Sequence, residues 1–261
     1  MKLTNRVLYY IVNNNEAIGI WSEKILCDII GIPFNTTRCY TNPDASNGST
    51  EYTYPSKLKK DISNTFRESF INIGISEHIG NRNNSIDFLT GTNKTVSLKT
   101  NISGFKVCPA NIGQTTSKKL KDYFGAEFTK EYIIQNINVV LQEYIKNCFT
   151  NDHLMCIKYD TGKIYHFLKG SDVILDKNIN YQFTNNLENW NESNTVKTTI
   201  DNKDYPVAEF QIHNNRNCIK CRLNFNTIIL MIKSSKLTGL SLTEHTLKYK
   251  YVIKVKKEIV T

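Results

Sequence analysis

The sequence lacks the features that mark a membrane-spanning or exported protein. Among its 261 residues, no apolar run approaches the ~20 residues that a helix needs to cross a bilayer. The N-terminal stretch has no long apolar segment followed by a small-residue cleavage site, so no export signal is evident. We therefore expect a cytoplasmic protein without a transmembrane segment.

Paired cysteine knuckles are also missing. The chain has seven cysteines, an odd and scattered set, and CxxC spacing occurs only at Cys218 and Cys221. A structural zinc site usually needs four ligands in two such pairs. Cys218 and Cys221 also lie in a strand-like segment, where residues three apart face opposite sides. The pattern disfavours zinc, even with His213 nearby, and favours reduced core thiols.

The composition is that of a folded, basic protein. The hydrophobic fraction is 40%, with 14 tyrosines and 12 phenylalanines, which excludes a disordered chain. The formal net charge is +9, from 33 basic and 24 acidic residues. This excess favours a polyanionic partner such as DNA, through phosphate neutralisation. A basic protein with no such partner is the alternative that charge alone leaves open.

Apolar residues at helical spacing predict four helices in the first 150 residues. Their predicted ranges are 16–30, 56–78, 115–124 and 131–149. Gly31 and Pro33 end the first helix, and Thr116 or Ser117 caps the third.

From residue 151 the pattern of apolar and polar residues becomes typical of strands. A second hairpin is predicted around Thr161-Gly162, and the apolar runs at 227–232 and 247–257 also have the character of strands. We predict a core at 1–150 and a β-rich part at 151–261, packed together as one domain.

The most informative stretch is 85–100, SIDFLTGTNKTVSLKT. Two short runs of alternating apolar and polar residues flank a turn that contains Gly91 and Asn93, which predicts a β-hairpin. Ser97 and Lys99 then share one face, and Asp87 can lie opposite them. A carboxylate can hold a divalent metal there, and an ammonium can orient a water for phosphodiester attack.

This hairpin resembles the active-site motif of the PD-(D/E)xK nuclease superfamily: an acid, a hairpin turn, then acid-x-Lys. Asp87 matches the first acid and Lys99 the lysine, whereas Ser97 stands where the family usually has Glu or Asp. Some type II restriction endonucleases of the superfamily carry Ser-x-Lys and recruit a carboxylate from elsewhere. The fold implied is α/β, a restriction-endonuclease-like core with a mixed sheet flanked by helices, followed by the β-rich part.

The resemblance implies Mg²⁺-dependent hydrolysis of double-stranded DNA. Asp87 and a glutamate would hold the metal, with the backbone carbonyl of Leu98 as a further ligand, while Lys99 positions the attacking water. Ser97 would support the site by hydrogen bonding, and Gln114 occupies the place of a glutamine that often follows the lysine strand. The glutamates that can replace the missing acid are Glu77, Glu23, Glu68 and Glu127.

Candidate DNA contacts lie in two segments. Lys118 and Lys119, at the start of a predicted helix, suit a phosphate, as does Lys106 before them. The second segment has the side-chain types that read base edges and bind phosphates. It comprises Gln211, His213, Asn214, Arg216, Lys220 and Arg222.

The function predicted is a sequence-specific type II restriction endonuclease, which would act as a homodimer if it cuts both strands of a symmetric site. Four alternatives remain: a catalytically inactive DNA-binding protein on the same fold, an HNH-like nuclease around His213-Asn214, a repair nuclease, and a structural or interaction protein with an unrelated α/β fold. Glu209-x-Gln211 is a rival metal-binding pair.

Overall fold

The computed structural model describes residues 7–12, 15–35, 54–80, 85–213 and 217–255. The first part of the chain contains strand β1 (Val7–Val12), helices α1 (Asn15–Ile30) and α2 (Ser56–Phe70), strands β2 (Ile75–His78), β3 (Phe88–Thr90), β4 (Thr95–Asn101), β5 (Lys106–Val107) and β6 (Gln114–Thr116), and helices α3 (Ser117–Phe124), α4 (Lys130–Gln135) and α5 (Ile137–Cys148). The remainder contains strands β7 (His153–Lys158), β8 (Lys163–Leu175), β9 (Tyr181–Phe183), β10 (Ser193–Ile200), β11 (Lys203–His213) and β12 (Cys218–Asn224), helix α6 (Phe225–Lys233), and strands β13 (Leu237–Thr246) and β14 (Lys250–Val255).

These elements form two compact units. The first comprises residues 1–104, 151–168 and 242–261, and the second comprises 105–150 and 169–241. Each unit takes residues from both sides of position 150, and strands β8 and β13 contribute to both. The division of function at residue 150 stays a prediction.

The first unit is built on a mixed sheet. Strands β8, β7, β4, β3 and β2 follow one another, with β13 beside β8. Strands β4 and β7 run parallel, and the pairs β2–β3, β3–β4 and β7–β8 are antiparallel. The mixed α/β architecture that the sequence predicts is thereby confirmed.

Helices α1 and α2 supply the core of this unit. In α2 the apolar residues recur every four positions, and Leu58, Ile62, Phe66 and Phe70 are all at most 1% exposed. They pack in one cluster with Ile25 and Leu26 of α1 and with Phe88, Val96 and Leu98 of the hairpin. Helix α1 ends at Ile30 and is followed by Gly31, whose φ of 78° only glycine adopts freely.

The predicted helix at 56–78 is too long. Helix α2 ends at Phe70, a 3-10 turn follows at Ile71–Ile73, and Gly74 at φ 70° reverses the chain into strand β2. Residues 75–78 pair with β3 and therefore form a strand, although the spacing of their apolar residues also suited a helix. Glu77 therefore lies on a strand.

The second unit contains an antiparallel sheet of order β5-β12-β11-β10-β9, with β6 also paired to β12. Two predictions are wrong here. The run at 227–232 is helix α6, capped by Asn224, whose side chain accepts from the Asn226 N–H. The helix predicted at 131–149 is broken at Asn136, whose φ of −117° interrupts it between α4 and α5.

In the part of the chain that the structure describes, no helix is long and apolar enough to cross a membrane.

Candidate active site

The hairpin of β3 and β4 forms as the sequence predicts. The Thr90 N–H donates to the Lys94 carbonyl oxygen at 2.9 Å, and Asn93 takes a positive φ of 59° in the turn between them. Across the strands, the Asp87 N–H donates to the Val96 carbonyl oxygen at 3.0 Å. This register fixes which residues of β4 lie opposite Asp87.

Asp87, Ser97 and Lys99 come together at one spot in the first unit. The Asp87 carboxylate is 5% exposed, and its Oδ2 accepts from the Leu98 N–H at 2.6 Å and from the Ser97 hydroxyl at 3.2 Å. The Lys99 Nζ lies 3.9 Å from the same oxygen, which is an ion pair longer than a hydrogen bond. Neutral donors therefore anchor the carboxylate, and the partly exposed Lys99 ammonium stands beside it.

Glu23 is buried at 3% exposure and faces a histidine that the sequence did not single out. Its Oε2 lies 3.0 Å from Nε2 of His78. The backbone N–H of Asn35 donates to the other ring nitrogen of His78, Nδ1, at 2.9 Å. Because Nδ1 accepts, the imidazole proton lies on Nε2 and donates to Glu23.

The surroundings of His78 hold this pair in place. Its ring stacks on Phe34 with centroids 4.6 Å apart and lies 4.9 Å from the ring of Phe88. At Gly80, a Cβ would lie 2.9 Å from His78 Nε2 and 3.1 Å from Glu23 Oε2, so a larger residue does not fit. The N–H groups of Ile79 and Gly80 both donate to the Asp87 carbonyl oxygen at 3.0 Å. The backbone after His78 is thus bonded to that of Asp87.

The other glutamates proposed for the metal are placed differently. Glu77 is exposed on β2, while the adjacent His78 is buried, so the two side chains face opposite sides of the strand. Glu68 is exposed on α2. Glu127 lies in the second unit, where it forms an ion pair with Lys121.

The described residues contain no group of three or more His, Cys, Asp or Glu side chains arranged to hold a metal ion. Mg²⁺ at phosphoryl-transfer sites is commonly held by one or two carboxylates together with substrate phosphates and water. Asp87 fits a site of that sparse kind, whereas Glu23 is engaged with His78.

The proposed DNA-contact residues that the structure describes lie in the second unit. Gln114, which was predicted as a catalytic residue, is exposed on β6 in this unit. Lys118 and Lys119 are exposed in the first turn of α3, where the Thr116 hydroxyl accepts from the Lys119 N–H. Lys106 and His213 are exposed, and the side chains of β11 and β12 that are half-buried on the same face of the sheet are Gln211, Lys220 and Arg222. Asn214 and Arg216 lie outside the described residues.

Glu209, which the sequence offered as half of a rival metal-binding pair, is bonded to cationic side chains in the structure. Its carboxylate accepts from Lys106 Nζ at 2.6 Å, from Arg222 Nη2 at 2.9 Å and from Gln211 Nε2 at 3.1 Å. Two cations at one carboxylate disfavour a metal ion there, so the Glu209-x-Gln211 pair does not have the surroundings of a metal site. The cross-strand pairing of Glu209 with Arg222 was the available signal, but it required the register of the sheet.

Comparison with known proteins finds a distant similarity to a restriction enzyme. The chain is 32% identical over 154 residues to the type II restriction enzyme CviAII of Paramecium bursaria Chlorella virus 1. The match covers 56% of this chain and 43% of that protein, so the chain spans less than half the length of the relative it matches. No protein-family model matches the chain, and no solved structure matches it.

Proposed function

We propose that this protein is a type II restriction endonuclease that hydrolyses double-stranded DNA at a specific sequence. The observation that carries the proposal is the arrangement of Asp87, Ser97 and Lys99 on one hairpin, with the carboxylate buried and the ammonium 3.9 Å from it. Similarity to a type II restriction enzyme supports the same class of reaction.

Lys99 has the central role in the proposed reaction. Its ammonium orients a water toward phosphorus and stabilises the negative charge that develops on the phosphate oxygens. A P–O bond to the water forms as one ester P–O bond breaks, which leaves a terminal phosphate and a hydroxyl. The Leu98 N–H and the Ser97 hydroxyl hold Asp87 in place, and its carboxylate attracts the Lys99 ammonium to the same side of the hairpin.

Mg²⁺ is the proposed cofactor, held by Asp87 with the Leu98 carbonyl, and it would neutralise charge on the scissile phosphate. Glu23, which is buried in the same unit as Asp87 and is bonded to His78, is one proposed source of a second carboxylate. Glu77, on the exposed side of β2, is the other candidate. Gln114 is retained as a proposed contact to substrate.

The protein is also proposed to act as a homodimer. Cleavage of both strands of a symmetric site favours a homodimer with isologous contacts. Sedimentation of the protein with and without a cleaved duplex tests this state directly.

The test is incubation of the purified protein with a long mixed-sequence duplex in Mg²⁺ and in EDTA. We expect discrete fragments in Mg²⁺ only, and none with Lys99→Ala. Lys94→Ala is the matched control, because Lys94 lies in the turn of the same hairpin and is exposed. A wild-type protein that leaves every duplex intact would contradict the proposal.

A catalytically inactive DNA-binding protein is the second candidate function. Ser97 in place of an acid favours it, as does the lack of a three-ligand metal cluster among the described side chains. Such a protein would shift the duplex in a gel, with a steep salt dependence, and would cut it in neither condition.

A further inference from the structure

One face of the sheet in the second unit is apolar and the other is polar. On β11 and β12 the inward residues are at most 3% exposed; they are Ala208, Phe210, Ile219, Cys221 and Leu223. The residues that alternate with them, Glu209, Gln211, Lys220 and Arg222, are partly exposed. Strand pairing places Glu209 opposite Arg222 and Gln211 opposite Lys220. The outer face therefore presents a compact set of hydrogen-bonding side chains.

Glu209 lies at the centre of this set. Its Oε2 accepts from Lys106 and Arg222, and its Oε1 accepts from Gln211. Partial burial alone would raise the pKa of Glu209, but the Lys106 ammonium and the Arg222 guanidinium outweigh burial and lower that pKa. The carboxylate is thus ionised and holds three donors from three strands.

These bonds orient the two side chains that are best suited to read bases. Arg222 donates from Nη2 to Glu209, and its Nε is buried without a hydrogen-bond partner among the described residues, so a base contact would use the terminal nitrogens of the guanidinium. Gln211 donates from Nε2 to Glu209, which fixes its amide orientation and leaves the carbonyl oxygen as an acceptor for other groups. A guanidinium reads guanine through O6 and N7, and a glutamine amide reads adenine through N6 and N7.

The charge of the face suits DNA as well. Lys106, Lys220 and Arg222 are positive and Glu209 is negative, which leaves an excess of two positive charges on the four. A duplex docked here would find cations for its phosphates and two oriented hydrogen-bonding side chains for its bases.

We propose that Glu209 is a positioning residue for sequence recognition, which holds Arg222 against a guanine and orients Gln211 beside it in the major groove. This inference rests on the proposed function as a site-specific endonuclease and adds a residue that determines its sequence specificity. Glu209 itself needs no contact with DNA, because it acts through the side chains that it binds.

The informative variant is Glu209→Gln, which keeps the shape and removes the charge. The new amide offers a donor where the carboxylate offered only acceptors, so Arg222 and Gln211 lose their fixed orientation. We expect affinity for the preferred duplex to fall by about tenfold to a hundredfold, the discrimination typical of one bidentate base contact. Affinity for a scrambled duplex should stay equal or rise slightly, because the protein gains one positive charge.

The experiment first selects the preferred sequence for the wild-type protein from a randomised 20-base-pair duplex library, with Ca²⁺ in place of Mg²⁺. Dissociation constants are then measured for the selected and the scrambled duplex. Glu188→Gln is the matched control, since Glu188 is exposed in the same unit and the charge change is identical. Glu209→Asp keeps the charge and should lose less affinity for the selected duplex than Glu209→Gln.

The outcomes are separable. Equal loss of affinity for both duplexes, or no loss for either, would overturn the role of Glu209. Thermal unfolding of the variant at the wild-type temperature shows that it is folded. If the wild type selects and cuts a sequence while Glu209→Gln keeps the same specificity ratio, this inference alone fails. If the wild type selects no sequence, the site-specific endonuclease and this inference fail together. A selected sequence in which no guanine is needed also contradicts it.

Discussion

The two compact units differ in whether their acidic and basic side chains are buried. Among the described residues, the carboxylate, imidazole and ammonium groups that are buried all lie in the first unit: Glu23, His78, Asp87, His153 and Lys158. The buried polar side chains of the second unit are neutral, namely Asn147, Asn194, Thr198 and Thr227. The second unit instead keeps its charges on partly exposed positions such as Glu209 and Arg222.

The difference supports the proposed separation of chemistry from recognition. Burial of a charge is costly unless partners compensate for it, so a buried carboxylate such as Asp87 is held in one orientation by the donors around it. Exposed charges are hydrated and available to a polyanion. These properties suit the proposed roles of the first unit in cleavage and of the second unit in DNA binding.

The largest effect that would sharpen this comparison is expected at Asp87. Asp87→Asn keeps an acceptor for the Leu98 N–H but removes the charge beside Lys99. We expect the cleavage rate to fall at least a hundredfold, equivalent to about 2.7 kcal/mol of transition-state stabilisation. Single-turnover cleavage measures the rate, and duplex binding in Ca²⁺ should change little. Equal loss of binding and cleavage would contradict the assignment of chemistry to the first unit.

The next effect concerns stability. His78→Ala removes the donor to the buried Glu23 carboxylate and leaves a cavity between Phe34 and Phe88. A hydrogen bond to a charged group contributes ~1.5–3 kcal/mol, so we expect the free energy of unfolding to fall by about 2–3 kcal/mol. Urea unfolding measures it. His213→Ala is the control, since His213 is exposed in the second unit, and it should leave the midpoint unchanged.

Gly80 offers a smaller and sterically defined change. Gly80→Ala places a methyl group 2.9 Å from His78 Nε2, and the shift this forces should cost about 1–2 kcal/mol of unfolding free energy. Gly91→Ala is the matched control, because its added Cβ meets nothing within 4 Å. Thermal unfolding of both variants tests the prediction, and an equal effect in the two would show that the pair around Gly80 tolerates crowding.

A further effect is a pH dependence of the first unit. Burial, together with His153 and His245, lowers the pKa of His166 to about 4, and its Nε2 lies 2.9 Å from Nδ1 of His153. Burial and the nearby Lys94 lower the pKa of His153 as well. Between about pH 6.5 and 4 the unfolded chain therefore binds more protons at His166, and stability falls as the pH falls. In His166→Gln, the urea unfolding midpoint should depend less on pH over that range. An unchanged dependence on pH would contradict the role of His166.

Much of the local structure followed from residue patterns. The hairpin around Gly91 and Asn93 was predictable because its turn residues and its alternation of apolar and polar residues agree. The burial of the α2 stripe from Leu58 to Phe70 followed from four-residue spacing. The pattern failed at 75–78 and at 227–232, where apolar content suits either a strand or a helix and the surrounding packing decides.

The sequence by itself determined the hairpin that places Ser97 and Lys99 on one face, because side chains alternate along a strand whatever lies around it. Only the tertiary structure decided that Glu23 faces His78 and that Glu209 holds Arg222. His78 lies 55 residues from Glu23, and Arg222 faces Glu209 only through the register of two strands. Such pairs depend on how distant segments pack, and no local spacing encodes that packing.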